Sequence, residues 1–275
     1  MTDERYTHGH SESVLRSHRW RTAENSAGYL LPSLHPGMAL LDVGCGPGTI
    51  TVELAERVAP GRVVGLDASL EVIEQARESM GARAVDWQQG SVYELAFDDG
   101  VFDVVHAHQV LQHLGEPIRA LREMRRVAAP GGLIAARDSD YQAWTWYPQE
   151  PALDRWREIF VAVTRANGGE PNAGRFLLAW AHAAGLTGVE SSVTSWCYTA
   201  EHGAKWWASM WADRVVDSAL AETAIQIGAA TKEELRALAE GWRRWGAHPD
   251  AWLNVPSTEI LCRLPTEGVG LDQGI

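Results

Sequence analysis

The chain has 275 residues, 45% of them hydrophobic, and a formal net charge of −12. That is enough apolar material for one large core or for a domain with a sizeable insertion, and the acidic balance argues against a nucleic-acid partner, which calls for a basic patch or stripe. The polar first twenty residues carry no signal peptide, no apolar run approaches the roughly 18 residues of a membrane span, and three distant cysteines, Cys45, Cys197 and Cys262, fit neither a disulfide framework nor a zinc motif; the expectation is a cytoplasmic protein with no membrane partner. The basic stretch from Arg16 to Arg21, with Arg122, Arg125 and Arg126, reads as solvated helix faces.

Taken in chain order, residues from about Ser11 to Leu31 have a helical pattern that stops at Pro32, and Pro36-Gly37 leads into a first apolar strand, Ala39 to Val43. The next helix carries Ile50, Leu54 and Val58 at a spacing of four. Arg62 to Asp67 is a second strand, and the helix opened by Ser69 buries Val72, Ile73 and Ala76. Ala84 to Gln88 is a weaker strand and Phe102 to Ala107 a stronger one. Pro117 begins a helix with an Ile118, Leu121, Met124 and Val127 stripe, after which Pro130-Gly131-Gly132 turns the chain into a strand from Leu133 to Arg137. Such alternation predicts an α/β fold: a doubly wound, mostly parallel sheet with its ligand crevice at the carboxyl ends of the strands.

Beyond residue 140 the pattern is helical and aromatic, holding eleven of the thirteen tryptophans. Leu153, Trp156, Phe160 and Val163 share one helix face, Trp207, Trp211 and Val215 another, and a third helix opens with the capping box Thr231 and Glu234 before Leu235, Leu238, Trp242 and Trp245. Two β-like segments, Val189 to Tyr198 and Thr258 to Leu264, suit an antiparallel hairpin closing one sheet edge, with the helices between them as a lid. The expected organisation is a helical cover over residues 1–36, a core over 37–139, a lid with edge strands over 140–265 and a tail over 266–275.

The most informative segment is Asp42-Val43-Gly44-Cys45-Gly46-Pro47-Gly48. Glycines at alternate positions let a backbone turn sharply and approach a ligand closely. A dinucleotide fingerprint would read G-x-G-x-x-G with a pyrophosphate on the helix N-terminus; here the spacing is G-x-G-x-G, and the Asp42 carboxylate suits a ligand with an ammonium and a sulfonium. S-adenosylmethionine (SAM) carries both. Asp67, nineteen residues past Gly48, ends the second strand where an acidic side chain takes both ribose hydroxyls. A tight strand-to-helix turn is the bland reading, and a nicotinamide oxidoreductase the rival one.

These segments resemble the class I SAM-dependent methyltransferases, and within them the ubiquinone/menaquinone-methyltransferase-like branch of small-molecule enzymes. The resemblance spans Leu34 to Asp138 and rests on LDVGCGPGT at 41–49, VVGLDAS at 63–69, QGSVYELAFDDGVFDVV at 89–105, VLQHL at 110–114 and LREMRRVAAPGGLI at 121–134. It implies a Rossmann-like core with Asp42, Gly44 and Gly46 along the methionine part of SAM, Cys45 and Gly48 in the same cofactor-binding loop, Asp67 and Ala68 at the ribose, Ser91 and Val92 at the adenine edge, and His108 over the methionine. Tyr6 to His10 would fold over the cofactor as the equivalent segment does in similar enzymes, with a disordered tail as the alternative.

Methyl transfer is an in-line displacement that needs alignment and, for a protonated acceptor, a base. His113, Asp138, Asp140 and Tyr141 fall at the crevice mouth and are the candidates, each with a capping or packing role as the bland alternative. His106 reads as a core histidine, and His106, His108 and His113 lack the carboxylate or cysteine that a metal set would include, so no metal is expected. Trp156, Trp211, Trp242 and Trp245 read as lid core, whereas Trp144, Trp146, Tyr147, Trp196, Trp206 and Trp207 are candidates to wall a pocket for a hydrophobic or aromatic small-molecule acceptor. A homodimer is compatible with the sequence. A non-methylating, cyclase-like use of SAM and a binding-only role are the other readings.

Overall fold

The computed structural model describes Thr7, residues 20–80 and residues 85–266. Its centre is one eight-stranded mixed sheet. β1 (Leu40–Val43), β2 (Val63–Asp67), β3 (Val85–Gln89), β4 (Phe102–His108) and β5 (Ala128–Ser139) are all parallel, in the order β3-β2-β1-β4-β5. β1 is buried at every position and β4 nearly so, as strands covered on both faces must be. Between them run α2 (Thr49–Val58), α3 (Leu70–Met80) and α4 (Pro117–Val127).

The edge differs from a simple hairpin. β8 (Trp252–Arg263) is twelve residues long and pairs antiparallel with β5 through Leu133–Arg263 to Ser139–Ser257; its first residues pair with β6 (Thr145–Tyr147), which continues the line of β5. On its other side β8 pairs with β7 (Glu190–Thr199) along the whole of β7. The expected strand Thr258 to Leu264 is thus the second half of a longer one, whose Trp252–Asn254 start reaches beyond β5 to bind the lid. Pro130-Gly131-Gly132 is not a turn before β5 but lies inside it, at a register shift opposite Phe102 and Val104, with Gly131 at φ +77°.

Two cores sandwich the sheet. One packs Leu41, Val64, Val105 and Ile134 under Leu121, Met124 and Val127 of α4; the other packs Leu40, Val63, Val104 and Leu133 under Ile50, Leu54 and Val58 of α2. The lid has a third core of its own, built from α5 (Pro151–Ala166), α7 (Ala204–Arg214), α8 (Ala219–Gln226) and α9 (Lys232–Gly246). Trp156 is its hub, with the rings of Trp211 at 4.5 Å, Trp242 at 5.0 Å and Trp144 at 5.6 Å. Thr231 caps α9 through the Glu234 amide, while the Glu234 carboxylate accepts from Arg155 Nε at 2.8 Å and ties α9 to α5.

The N-terminal expectation is corrected within the described residues. Residues 20–22 are not helical: Thr22 and Asn25 form a reciprocal capping box, so α1 starts at Ala23 and ends at Ala27, and Pro32 lies inside a 3-10 turn, Leu31–Ser33, rather than stopping a helix. The rest of that segment, and Tyr6 and His8 to His10, lie outside the described residues. Thr7 is buried, its hydroxyl accepting from Asn167 Nδ2 at 3.3 Å. Among the described residues no helix is long and apolar enough to cross a membrane.

Candidate active site

A cavity of about 310 Å³ opens where β1, β2 and β4 end. One end is backbone. Gly44, Gly46 and Gly48 have φ of +65°, +55° and +84°, a region that costs an L residue roughly 1–2 kcal/mol. Close approach adds a second demand at Gly44, where a Cβ would stand 2.4 Å from Val110. Gly48 does not line the cavity; it begins α2, and a Cβ there would strike the Trp87 ring at 2.3 Å. Trp87, from β3, also covers Gly65 and so supports the loop from below.

Asp67 is pre-set by the same turn. Its two oxygens accept from the amides of Gly46 at 3.1 Å and Ser69 at 3.0 Å, which fixes the carboxylate at the cavity wall beside Ala68. Asp42 is buried, with Oδ1 2.7 Å from His106 Nδ1 and Oδ2 accepting from Thr51 Oγ1 at 2.5 Å. His106 is thus bonded to Asp42, while Asp42 keeps an edge on the cavity. Cys45 also lines it; burial, reinforced by Asp42 and Asp67, pushes the thiol up, so it stays protonated. Val92 lines the wall, but Ser91 does not: its hydroxyl accepts from the Tyr93 amide in a local turn.

The wall is completed by His108, Gln109, Val110, His113, Leu114 and Arg21. Arg21 was expected on a solvated helix face. Instead its Nη2 donates to Gln109 Oε1 at 2.6 Å across the cavity mouth, and Gln109 is held at φ +54°, an unusual conformation for this residue type. By contrast Arg122 and Arg125 donate to the carbonyls of Ala183 and Ala184, closing the C-terminus of α6 (Leu177–Ala183).

Of the four base candidates, the cavity wall includes only His113. Enclosure, and secondarily the Arg21 charge, push its imidazole down to about 3, so it is neutral at ordinary pH. Asp138 is buried on the other face of β5, where Oδ1 accepts from the Gln112 amide at 3.1 Å and holds the 3-10 turn Leu111–His113; burial pushes its carboxyl up to about 7. Asp140 caps the 3-10 turn Tyr141–Ala143 and is paired with Arg175 Nε at 2.6 Å and Nη2 at 2.8 Å. Tyr141 is a lid-core ring, stacked on Trp144 at 4.5 Å and Phe160 at 4.0 Å. Neither touches the cavity, because the chain turns away from the crevice immediately after Ser139.

The acceptor candidates divide in the same way. Trp144 and Trp146 are buried, Trp144 donating to Ser139 Oγ at 3.0 Å and Trp146 lying under Arg157 at 4.6 Å. Tyr147 is 57% exposed at the surface. Trp196, Trp206 and Trp207 do come together, with Trp196 beside the cavity: its ring is 6.0 Å from His108 and 5.7 Å from the Arg21 guanidinium. Arg21, Gln109 and Trp87 were not anticipated. Val110 and Leu114 did have a signal, the segment VLQHL at 110–114, as did Pro47, Thr49, Leu66, Ser69 and Gly90 in the segments at 41–49, 63–69 and 89–105.

Comparison with known proteins completes this picture. Residues 41–136 match the methyltransferase domain family. An uncharacterized methyltransferase of Schizosaccharomyces pombe is 34% identical over 252 residues, 87% of this chain and 89% of that protein. The chain belongs to the class I SAM-dependent methyltransferases. A demethylmenaquinone methyltransferase of Lactococcus lactis is 33% identical over 117 residues, 41% of this methyltransferase, which spans about half, 46%, of that relative. The crystal structure of the YcgJ protein from Bacillus subtilis shares the fold with a TM-score of 0.58 at 19% identity, over 88% of this chain and 98% of that one.

Proposed function

We propose that this methyltransferase holds SAM across the Gly44–Gly48 loop and moves its methyl group to a hydrophobic or aromatic small molecule. The observation that carries the reading is the convergence, in one cavity, of the left-handed glycine turn, the amide-oriented Asp67 carboxylate and the Asp42 edge. SAM supplies a methyl carbon on a sulfonium, which leaves as a neutral thioether when the acceptor attacks in line.

The chain's own part is alignment. Asp67 takes the ribose hydroxyls, Ala68 and Val92 flank the nucleoside, and Asp42 faces the ammonium group. His108 and His113 bound the end where the acceptor arrives. A neutral imidazole near pKa 3 is a hydrogen-bond partner for the acceptor rather than a strong base, so the reaction suits an acceptor that needs little help in losing a proton.

Calorimetry with SAM, S-adenosylhomocysteine and NAD tests the cofactor: micromolar SAM binding is expected, and NAD binding without a SAM heat would overturn it. Asp67→Ala should weaken S-adenosylhomocysteine by removing charge-assisted hydrogen bonds, each worth roughly 1.5–3 kcal/mol. Methyl-labelled SAM incubated with phenols, quinones, amines and carboxylic acids tests the transfer. Label in a product, with S-adenosylhomocysteine formed, supports it; conversion with SAM intact would make the protein a non-methylating enzyme. His113→Asn should cost less than about tenfold in turnover, whereas a loss of about 10²–10⁴ would establish a general base.

A further inference from the structure

The cavity wall carries two carboxylates, Asp42 and Asp67, and one guanidinium, Arg21. The carboxylates come from the strand ends of the core, whereas Arg21 precedes α1 and enters the wall from outside the sheet. Its backbone is held there. Thr22 and Asn25 close the reciprocal capping box, and the Ala23 amide donates to Glu53 Oε2 of α2 at 2.7 Å. The Trp196 ring lies 5.7 Å from the guanidinium and is itself tied to α1, its Nε1 donating to the Asn25 carbonyl at 2.7 Å. A guanidinium laid against an aromatic ring is shielded from water on that side, which strengthens its hold on an anion in the cavity.

Gln109 fixes the head of this side chain. It stands at φ +54° just past the end of β4, with its amide donating to the Arg137 carbonyl at 2.7 Å and its Oε1 accepting from Arg21 Nη2 at 2.6 Å. Side chains rarely adopt that backbone conformation, and an outlier at a cavity wall points to function. The strand order places the pair. β4 lies on one side of β1 and β2 on the other; Val110, next to Gln109, stands against Gly44, and His106, three residues before it, bonds Asp42. Arg21 therefore belongs to the Asp42 side of the cavity, across β1 from Asp67.

Resting on the reading of SAM as the cofactor, we propose that Arg21 binds the carboxylate of the methionine end of SAM, with Gln109 as the positioning residue that aims it. Asp42 and Arg21 then read the two halves of one amino-acid zwitterion, ammonium and carboxylate. A planar guanidinium fits a carboxylate through directed, charge-assisted hydrogen bonds. The formal charges also match: Asp42, Asp67 and Arg21 sum to one negative charge, against the one positive charge that sulfonium, ammonium and carboxylate leave on SAM. Decarboxylated SAM, which keeps both cationic groups and lacks the acid, is the ligand that this arrangement rejects.

The test is calorimetry on the full chain with SAM, decarboxylated SAM and 5′-methylthioadenosine, which lacks the whole amino acid. The parent should bind SAM about tenfold or more tighter than decarboxylated SAM. Arg21→Leu should bring the two within about twofold while methylthioadenosine affinity stays within about twofold of the parent. Gln109→Glu, which sets a competing carboxylate beside Arg21 without emptying space, should cut the preference at least about threefold and decides the matter where Arg21→Leu does not fold. The proposal falls if the parent binds SAM and decarboxylated SAM equally, if the preference survives Arg21→Leu or Gln109→Glu, or if Arg21→Leu loses methylthioadenosine as severely as SAM, which would make the residue a structural one. An unchanged SAM affinity in Arg21→Leu would also overturn it and leave the guanidinium to an acidic acceptor. Failure of the parent to bind SAM and methylthioadenosine alike would instead remove the cofactor reading beneath it.

Discussion

The glycine loop and the tryptophan lid are built on opposite plans. In the loop, Gly44, Gly46 and Asp67 make a site from backbone conformation and two amide hydrogen bonds, all within about one strand-helix-strand unit. In the lid, Trp156, Trp211, Trp242 and Trp144 make a core from rings contributed by segments up to nearly a hundred residues apart. A site of the first kind is broken by a single methyl group. The second kind is broken by emptying space.

Trp242→Ala should therefore give the largest stability loss. It removes a fully buried ring that touches Trp156 at 5.0 Å and Trp245 at 5.9 Å, and large-to-small changes of this sort cost about 3–5 kcal/mol. Urea denaturation measures it, and the variant should keep its S-adenosylhomocysteine affinity wherever it remains folded. A parallel loss of affinity would mean that lid and loop are one cooperative unit.

Next in size is a pH effect at the hinge between the regions. The Asp138 carboxyl is raised to about 7 by burial, so the folded chain holds a proton that the unfolded chain releases near pH 4. Stability contributed here is present at low pH and lost as pH rises from about 4 to about 7, by at most about 4 kcal/mol at 1.36 kcal/mol per unit. His113, lowered to about 3, has the opposite slope below its unfolded value near 6.5, losing stability as pH falls. Asp138→Asn isolates the first slope: its gain over the parent should grow between pH 5 and pH 8, and equal gains at both would place Asp138 ionised in the fold.

Gly44→Ala should act on binding. A Cβ 2.4 Å from Val110 in a left-handed residue costs roughly 2 kcal/mol, or about thirtyfold in affinity for S-adenosylhomocysteine, with the lid's near-ultraviolet signal unchanged. Gln109→Gly should be smallest. Relief of the positive φ, worth about 1 kcal/mol, is set against loss of the 2.6 Å bond to Arg21, worth about 1.5 kcal/mol; a Tm change above about 4 °C would show that one contribution dominates.

What the sequence held by itself was everything written at short range. Alternating apolar strands and helices specified the doubly wound sheet, because burial on both faces demands that pattern, and the spacing of Gly44, Gly46, Gly48 and Asp67 specified the loop, because turn geometry depends on residues next to one another. The alternation also left Trp156, Trp211, Trp242 and Trp245 on inward helix faces.

Tertiary structure decided the rest. That Arg21 reaches Gln109 needs two segments 88 residues apart, that Trp87 supports the loop depends on β3 lying beside β2, and that Arg137 meets Trp196 depends on β8 lying between β5 and β7. Asp140 and Tyr141 carried the right chemistry just after a strand end, yet an ion pair to Arg175 and stacking on Phe160 bind them to the lid. Side-chain type and local spacing specify what a residue can do; which partners reach it first is set by elements distant in the chain, whose packing free energy is shared among many contacts and leaves no mark in any one short segment.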